Sequence, residues 1–558
     1  MPGSAQSTSG GPTRVIGPIG LTFVAVGGVV GSGWLFGPLF AARVAGPAAI
    51  IAWLLGGAMV LVTALPFAEV AAMLPVVGGL GRLPQFSHGS VVGMFIGWVA
   101  WIGYVTAAPI EVQALLEYAS NESAFRWLFN EGAGTGNNPL SLGGLLVAFA
   151  LLGVFTIINA YGVKLFNQIN TPLTWFKIIV PVVAAIFLLT KFDSSNLTVD
   201  GFAPSGITGI FSAIATGGVV FSFLGFRHAL DLAGEARKPQ VTVPVALTVS
   251  LLICIVLFVV VQFAFIGAVP PESLKDGWAS LKLAGANGPI TAVLAAVGFT
   301  AIANLVLADA IAGPLGAGLV ASASTARLSV AVSRDGLFPA SIQRFSNRGV
   351  PLRSLVMNMV VGMVVLLVFR DGWQEILTFN TAAIVLSFCA GPVTLVALRH
   401  QLPDRHRPFR LRHPLLVGYV SFVIVGLIVH WTGWDTLKRI AVPIVLGGVI
   451  FAWRVWRTRA RRASGAYASS DAATTDLTEE FDIREAAWLL PWFGGLFLLS
   501  WIGGFGDGHN VLSPFWGSAA TALLAVAIFP LAVKLRLPAE RTAAYVDEDV
   551  REVGITAE

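Results

Sequence analysis

The chain of 558 residues is strongly apolar: hydrophobic residues make up 56% of it, charged residues only 12%, and its mean hydropathy is +0.79. A soluble protein of this size needs far more charge on its surface, so the composition predicts an integral membrane protein. The net charge of +5 lies in loops between apolar segments, where it reports membrane orientation. No nucleic-acid partner is therefore predicted, and the lipid bilayer is the expected surroundings.

Apolar runs that approach the roughly 20 residues needed to cross a bilayer recur along the chain. Their length and continuity predict an all-α protein, because the strands of a membrane barrel are alternating segments of roughly 10 residues. The expected spans, numbered 1 to 14 in chain order, are 15–42, 46–74, 91–119, 141–161, 172–190, 207–230, 243–268, 288–326, 352–369, 376–398, 413–432, 438–456, 486–504 and 512–533.

Basic residues concentrate in the loops after even-numbered spans, whereas the loop after span 3 is more acidic, with Glu117 and Glu122 beside Arg126. The positive-inside tendency then predicts that both termini are cytoplasmic, in a bacterial-type inner membrane. No signal peptide is expected, because the N-terminal segment lacks a basic start and a cleavage site. The expected divisions are a tail at 1–14, a ten-helix core at 15–400, spans 11 and 12 at 413–456, a cytoplasmic linker at 457–485, spans 13 and 14 at 486–533 and a tail at 534–558.

Span 1 is interrupted by a glycine-rich run, GGVVGSG, at residues 27–33. A backbone freed from a helix costs several kcal/mol per group in hydrocarbon, so such breaks persist where they face protein, water or a ligand. One interpretation is a substrate site that glycine keeps open to close approach. The other is tight helix packing, for which small residues are common in membrane helices.

Span 6 contains a second interruption, with Gly217 and Gly218 followed by FSFLGF at 221–226. Breaks five spans apart are what two inverted five-helix repeats produce, and such breaks surround a central substrate site. We expect a half-helix to begin after Gly33 and another after Gly225, with N–H groups that suit a carboxylate. The freed carbonyls around Val29, Val30 and Phe221 suit an ammonium group, so the two breaks together fit an amino acid zwitterion.

Three motifs carry a family resemblance: residues 31–33, the segment GFRHALDLAGEARKP at 225–239 with Val243 and Pro244, and the run from 326 to 339 that ends near 349–351. In this order they resemble the amino acid, polyamine and organocation (APC) permeases over about the first 455 residues. The resemblance implies a secondary active transporter with a LeuT-type core of 5+5 inverted repeats. The extra C-terminal spans and residues 104–118 are most similar to the aspartate-proton symporter branch.

The candidate substrate-binding residues come from both breaks. Phe221 resembles the family's aromatic lid over bound substrate, and its alternative role is ordinary aromatic packing. The full predicted set is Val29, Val30, Gly31, Ser32, Gly33, Phe221, Ser222, Phe223, Gly225 and Arg227.

Arg227 departs from the family pattern, in which many members carry a glutamate here. A permanent cation attracts a side-chain carboxylate, which favours aspartate or glutamate over basic substrates. The alternative is a structural ion pair with Asp231, one helical turn further on.

Three ionisable residues within spans are candidates for proton coupling: Lys177, Glu111 and Asp309. Lys177, in span 5, resembles the position where sodium-coupled relatives bind a cation, and burial would let it alternate between neutral and protonated forms. Its alternative is snorkelling to the interface. Glu111 follows the kink at Pro109 in span 3, and Asp309 lies in span 8. Either acid could carry the proton or act as a static partner of a buried cation.

The sequence therefore favours proton-coupled uptake of an acidic amino acid by alternating access. Two alternatives stay open: exchange of other amino acids or amines, and a membrane sensor that binds an amino acid without transporting it. The chain has no phosphate-binding Gly-Lys-Ser/Thr loop and no metal-ligand spacing, so neither an enzyme, a metal nor a cofactor is expected. The sequence does not indicate an oligomeric state.

Overall fold

The computed structural model describes residues 16–76, 79–130, 139–283, 288–334, 336–369, 372–463 and 483–553. The predicted tail at 1–14 and positions 464–482 of the predicted linker lie outside this part of the chain, as do residues 554–558. Within the described ranges the chain folds into helices, with two isolated β-bridges at Ile16–Ala236 and Phe129–Leu140. The predicted all-α class is confirmed.

The first half of the chain forms paired or kinked helices as well as straight ones. Several helices in the chain begin with proline in their first turn, where its fixed φ is already helical and its missing N–H costs nothing. The helices are α1 Pro18–Val29, α2 Gly33–Ala45, α3 Ala49–Met73, α4 Gly79–Ala119, α5 Leu142–Ala160, α6 Val163–Leu189, α7 Gly206–Ala215, α8 Val219–Phe223, α9 Arg227–Asp231 and α10 Pro239–Ala268.

The second half continues with further helices and a C-terminal extension. These are α11 Pro289–Ala296, α12 Thr300–Arg334, α13 Leu352–Val368, α14 Trp373–Ser387, α15 Ala390–Gln401, α16 Pro414–Trp431, α17 Trp434–Ala463, α18 Ile483–Ala486, α19 Leu489–Ile502, α20 Pro514–Lys534 and α21 Ala539–Val553. A helix or helix pair lies in each of the fourteen segments that the sequence predicted as spans.

Among the described residues, eleven helices are long and apolar enough to cross a membrane, or twelve if the bent pair α7 and α8–α9 forms one span. This count treats Gly33–Met73, which holds α2 and α3, as one stretch. Apolar side chains such as Leu146, Val256 and Leu523 are exposed on the outside of the bundle, as lipid contact requires. The chain is a multi-pass membrane protein, and the number fourteen stays a prediction.

Several helical segments lie outside the predicted spans. Helix α6 begins at Val163, nine residues before span 5, α17 continues to Ala463 in the predicted linker, and α21 lies in the predicted C-terminal tail. Two further extensions adjoin spans 3 and 8. Residues 79–88 are helical and precede span 3, and Gly89 separates them from it with a φ of 79° that favours glycine. Helix α12 continues to Arg334, eight residues beyond the predicted end of span 8 at 326. Both of these extensions are less apolar than the spans, so the apolar runs in the sequence do not include them.

The buried centre of the bundle consists of α4, α12, α14 and α15, with α1 and α10 packed beside it. Helix α4 runs along both α12 and α14. The broken helices of spans 1 and 6 therefore lie against helices that are themselves shielded from lipid. This placement is what a polar, irregular backbone requires at membrane depth.

The added helices α19 and α20 pack on α16 and reach the ends of two core helices. The Nε2 atom of His88 lies 2.9 Å from the carbonyl oxygen of Ala532. Gln401, at the end of α15, donates to the carbonyls of Ser87 and Leu537. The C-terminal extension is thus tied by hydrogen bonds to the start of α4 and the end of α15.

Candidate substrate site

The break in span 1 lies at Val30–Ser32, within the predicted glycine run. Helix α1 ends at Val29, Val30 has a non-helical ψ of 80°, and α2 begins at Gly33. All five predicted residues from Val29 to Gly33 are buried. Gly27 and Gly28 belong to α1, so the unwound segment is shorter than the glycine run.

The break in span 6 lies at the start of the predicted interruption, at its two glycines. Helix α7 ends at Ala215, Gly218 adopts the left-handed conformation with a φ of 89°, and α8 begins at Val219 after a bend of 41°. The prediction of a half-helix beginning after Gly225 is wrong, because Leu224–Phe226 forms a 3-10 turn that continues the helical path into α9. The glycine that can adopt a positive φ, rather than the phenylalanine-rich segment, sets the break.

Gly225 permits a close crossing of spans 1 and 6. A β-carbon at Gly225 would collide with the backbone of Gly28 and Val29. A β-carbon at Gly33 would likewise collide with Ser222. The packing interpretation of the small residues therefore holds at these contacts, while the irregular backbone of the break itself lies at Val30–Ser32.

The carboxylate of Glu111 lies on the break in span 1. The backbone N–H of Ser32 donates to Oε2 of Glu111 at 3.0 Å, and the Ser32 hydroxyl donates to Oε1 at 3.2 Å. A β-carbon at Gly31 would lie 2.7 Å from Oε1, so glycine makes this approach possible. The N-terminal end of α2, which the sequence assigned to a substrate carboxylate, thus holds a carboxylate of the protein itself.

Lys177 and Asp309 lie close to the same break. The Lys177 side chain is 0% exposed, and its Nζ is 3.4 Å from the carbonyl oxygen of Gly313. Asp309, one turn before Gly313 on α12, accepts from the indole of Trp34 at 3.1 Å, and its Oδ1 has no partner among the described residues. Lys177 interacts electrostatically with both Glu111 and Asp309.

The structure therefore brings together the three predicted proton-coupling candidates, which come from α4, α6 and α12. A fully buried Lys177 does not snorkel to the interface, so that alternative is wrong. Two carboxyl groups and one amine share a site shielded from water, where a net charge is costly. Protonation of one group must therefore affect the others.

Arg227 belongs to a second polar cluster, with Tyr104, Asp231 and His228. Its guanidinium carbon lies 4.5 Å from the centre of the Tyr104 ring, and its Nη1 donates to the carbonyl of Leu224 at 3.0 Å. The Tyr104 hydroxyl donates to Asp231 at 3.1 Å, and Nδ1 of His228 is 3.8 Å from Asp231.

The alternative of a direct ion pair between Arg227 and Asp231 is not observed. Within the described residues no Arg227 nitrogen lies within 4.0 Å of an Asp231 oxygen, and Tyr104 connects the two instead. Nε of Arg227 and Oδ2 of Asp231 have no hydrogen-bond partner in that part of the chain. A guanidinium has five N–H groups, so Arg227 retains donors for another acceptor.

Aromatic side chains cover the break from one side. Phe221 is half-buried, and its ring meets the Trp373 ring edge-on at 5.8 Å. Trp373 also stacks on Phe36 at 4.9 Å and on Phe40 at 5.7 Å. Phe223, in contrast, packs against Trp53 and Phe258, so the structure places it among α3 and α10 rather than at the break.

Trp373 and Glu117 are site residues that the sequence analysis missed. The Trp373 indole donates to the Ser32 hydroxyl at 2.9 Å, and its backbone N–H, at the start of α14, donates to Glu117 at 2.8 Å. Glu117 was counted as a loop charge, but it is buried at the end of α4. The available signal was that Glu117 lies within the predicted bounds of span 3, 91–119.

The two broken spans, which cross at a buried group of ionisable side chains, define a secondary transporter. The family model described as amino acid permease matches residues 16–454, and the chain belongs to this amino acid permease family. The family fits the LeuT-type fold, so the predicted fold class is confirmed.

Individual relatives extend the similarity across nearly the whole chain. An aspartate-proton symporter of Bacillus subtilis (strain 168) is 32% identical over 519 residues, covering 93% of this chain and 96% of the relative. The glutamate/serine transporter AimA of the same organism is 31% identical, covering 93% and 94%. The branched-chain amino acid permease BcaP is 26% identical, covering 78% and 92%. These relatives are transporters, so the prediction of a transporter rather than an enzyme is confirmed.

The crossing at Gly225 predicts a strong effect of a single methyl group. Gly225→Ala should lower the free energy of unfolding by about 1–3 kcal/mol, because the Gly28 backbone cannot move aside as a flexible side chain would. Thermal unfolding in detergent, followed by tryptophan fluorescence, measures the change. The matched control is Gly153→Ala in α5, where a β-carbon meets nothing within 4 Å and helix propensity favours alanine. Equal melting temperatures for the two variants would contradict the close crossing.

Proposed function

We propose that the protein is a proton-coupled importer of an acidic amino acid, aspartate or glutamate, that works by alternating access. The observation that carries the proposal is the buried group of Glu111, Lys177 and Asp309 at the break in span 1. Ionisable groups at membrane depth are expensive, and in transporters they mark substrate and proton pathways. Among the described residues, this group joins three different helices at the predicted substrate site.

The substrate backbone would bind at the breaks. The start of α2 offers N–H groups to the α-carboxylate, and the carbonyls near Val29 and Val30 suit the α-ammonium group. The start of α8 at Val219 replaces the predicted second half-helix after Gly225. Phe221 and Trp373 would then close over the bound molecule as the aromatic cover.

The preference for an acidic side chain rests on Arg227. Its guanidinium is buried and has donors that no described acceptor uses, so a substrate carboxylate would complete its hydrogen bonds. Two relatives support this choice, since one is named for aspartate and protons and the other for glutamate and serine. The second name also keeps a small neutral substrate as the alternative to test.

The proposed cycle uses rigid-body rocking of the two repeats. An outward-open state binds the amino acid and a proton, the aromatic cover closes, and spans 1 and 6 move with their partners to open the cytoplasmic side. With both termini in the cytoplasm of a bacterial-type cell membrane, this direction gives uptake. The membrane potential would contribute about 2.3 kcal/mol per 100 mV for each net charge moved.

Uptake into proteoliposomes tests the proposal directly. Labelled aspartate should accumulate inside vesicles when the outside is made acidic, and a protonophore should abolish the accumulation because it removes the gradient. Protein-free vesicles are the control. Unlabelled glutamate should compete for uptake, while arginine should not, because Arg227 repels a basic side chain.

Other outcomes identify the alternatives. Uptake that needs internal amino acid but no pH gradient would indicate an exchanger. Tight binding without translocation would indicate a sensor. Competition by serine or leucine but not by glutamate would contradict the acidic substrate while leaving transport intact.

Arg227 variants test the source of the substrate preference. Arg227→Ala should weaken aspartate binding by roughly 10- to 100-fold, the 1.5–3 kcal/mol of one hydrogen bond to a charged group. Arg227→Lys keeps the charge but loses the planar stacking on Tyr104. Its aspartate affinity should therefore lie between those of the wild type and of Arg227→Ala. Binding of labelled aspartate to purified protein provides the measurement. An Arg227→Ala variant with unchanged aspartate affinity would move the preference to another residue.

A further inference from the structure

Glu111 occupies the position that the proposed function gives to the α-carboxylate of the substrate. Its Oε2 accepts from the Ser32 backbone at 3.0 Å, and its Oε1 accepts from the Ser32 hydroxyl at 3.2 Å. The side chain is only 6% exposed, so water does not compete for these bonds. A second carboxylate cannot approach the same N–H group while Glu111 remains ionised there.

We propose that Glu111 is an internal placeholder, whose carboxylate occupies the start of α2 until it takes up a proton and yields the position to the substrate carboxylate. This inference rests on the proposed function and adds its coupling step. The proton comes from the outer solution and forms an O–H bond on Glu111. The hydrogen bond from the Ser32 N–H to Glu111 breaks, and one from the same N–H to the substrate forms.

The local backbone is shaped for a carboxylate at this point. Gly31 leaves the space that Oε1 of Glu111 fills, since a β-carbon there would lie 2.7 Å from it. Helix α2 has 13 residues, enough for a full dipole whose positive end lies at Ser32 and Gly33. The bound carboxylate of Glu111 is thus direct evidence of which chemical group this helix end accepts.

Charge balance explains why a proton must accompany the substrate. Lys177 from α6 interacts electrostatically with Glu111 from α4 and with Asp309 from α12. Further out, His228 on α9 and Cys254 on α10 interact electrostatically with Lys177, and Tyr118 on α4 interacts with Asp309. Arg227 and Asp231 lie in the neighbouring cluster beside His228, and Glu117 lies further along α4. Aspartate brings a net charge of −1, and one proton on Glu111 cancels it. The buried site then gains no net charge, which avoids the cost of an uncompensated ion.

The same balance predicts how transport is coupled in both directions. Aspartate without the proton would place two carboxylates at one helix end, and the proton without aspartate would leave the Ser32 N–H without its charged acceptor. Either partial state loses a strong hydrogen bond or adds a repulsion. The Ser32 N–H at the start of α2 has one carboxylate acceptor only when the site is empty or when it holds both aspartate and a proton. This is the coupling that a symporter requires.

The test is the pH dependence of aspartate binding to the purified full-length protein, measured with labelled aspartate between pH 5.5 and 8. Wild-type affinity should fall with rising pH, by up to about tenfold per pH unit where one proton binds with each substrate. Glu111→Gln, which cannot ionise, should bind with the same affinity at every pH. Glu122→Gln is the matched control: this acid lies just beyond the end of α4 and is exposed, so the variant should keep the wild-type pH dependence.

A second measurement uses the wild type alone and does not depend on how a variant folds. In weakly buffered detergent solution at neutral pH, aspartate binding should take up about one proton per site. Binding without proton uptake, or a Glu111→Gln variant with the pH dependence of the wild type, would overturn the placeholder and leave the transport proposal standing. The absence of aspartate binding at any pH would contradict the acidic substrate, and the placeholder with it.

Discussion

The hydrogen bond from the Ser32 backbone to Glu111 is the interaction on which the rest of the site depends. A helix broken inside a bilayer exposes N–H and C=O groups that no water can satisfy, at several kcal/mol each. Glu111 satisfies the N–H at the start of α2 and brings a negative charge to the positive end of that helix. That charge in turn requires a nearby cation, which Lys177 supplies.

The charges at the break in turn depend on contacts from the neighbouring helices. Lys177 donates to the backbone carbonyl of Gly313 on α12, and it interacts electrostatically with Asp309 on the same helix. Trp34 holds Asp309, and Trp373 holds the Ser32 hydroxyl from the start of α14. Four helices besides span 1 are thereby fixed around one irregular turn. A change in the charge of the group alters contacts on all of them, which is how proton binding can influence a rigid-body movement.

Much of this arrangement follows from the sequence, for a physical reason in each case. The length of the apolar runs identified the spans, and glycine in the middle of spans 1 and 6 indicated the breaks, because both features are local. Glu111, Lys177 and Asp309 were conspicuous as rare charges in apolar surroundings. The sequence did not predict that these three side chains lie close together, because their proximity depends on the tertiary packing of helices that are distant in sequence.

The errors are equally specific. Gly225 was predicted to precede a half-helix, but it allows the backbones of spans 1 and 6 to cross closely. The sequence alone does not show that Gly225 faces Gly28. Gly217 and Gly218 marked the break in span 6, but the sequence alone does not show that Gly218 adopts the positive φ. Trp373 was missed because it precedes the predicted start of span 10 at 376, and Glu117 was missed because it was counted among the loop charges although it lies within span 3.

The most direct measurement is an experimental structure of the protein with aspartate bound at acidic pH. We expect the α-carboxylate of aspartate to accept from the Ser32 N–H and the Glu111 side chain to have moved off this group. A structure in which Glu111 still accepts from Ser32 while aspartate is bound elsewhere would contradict this expectation.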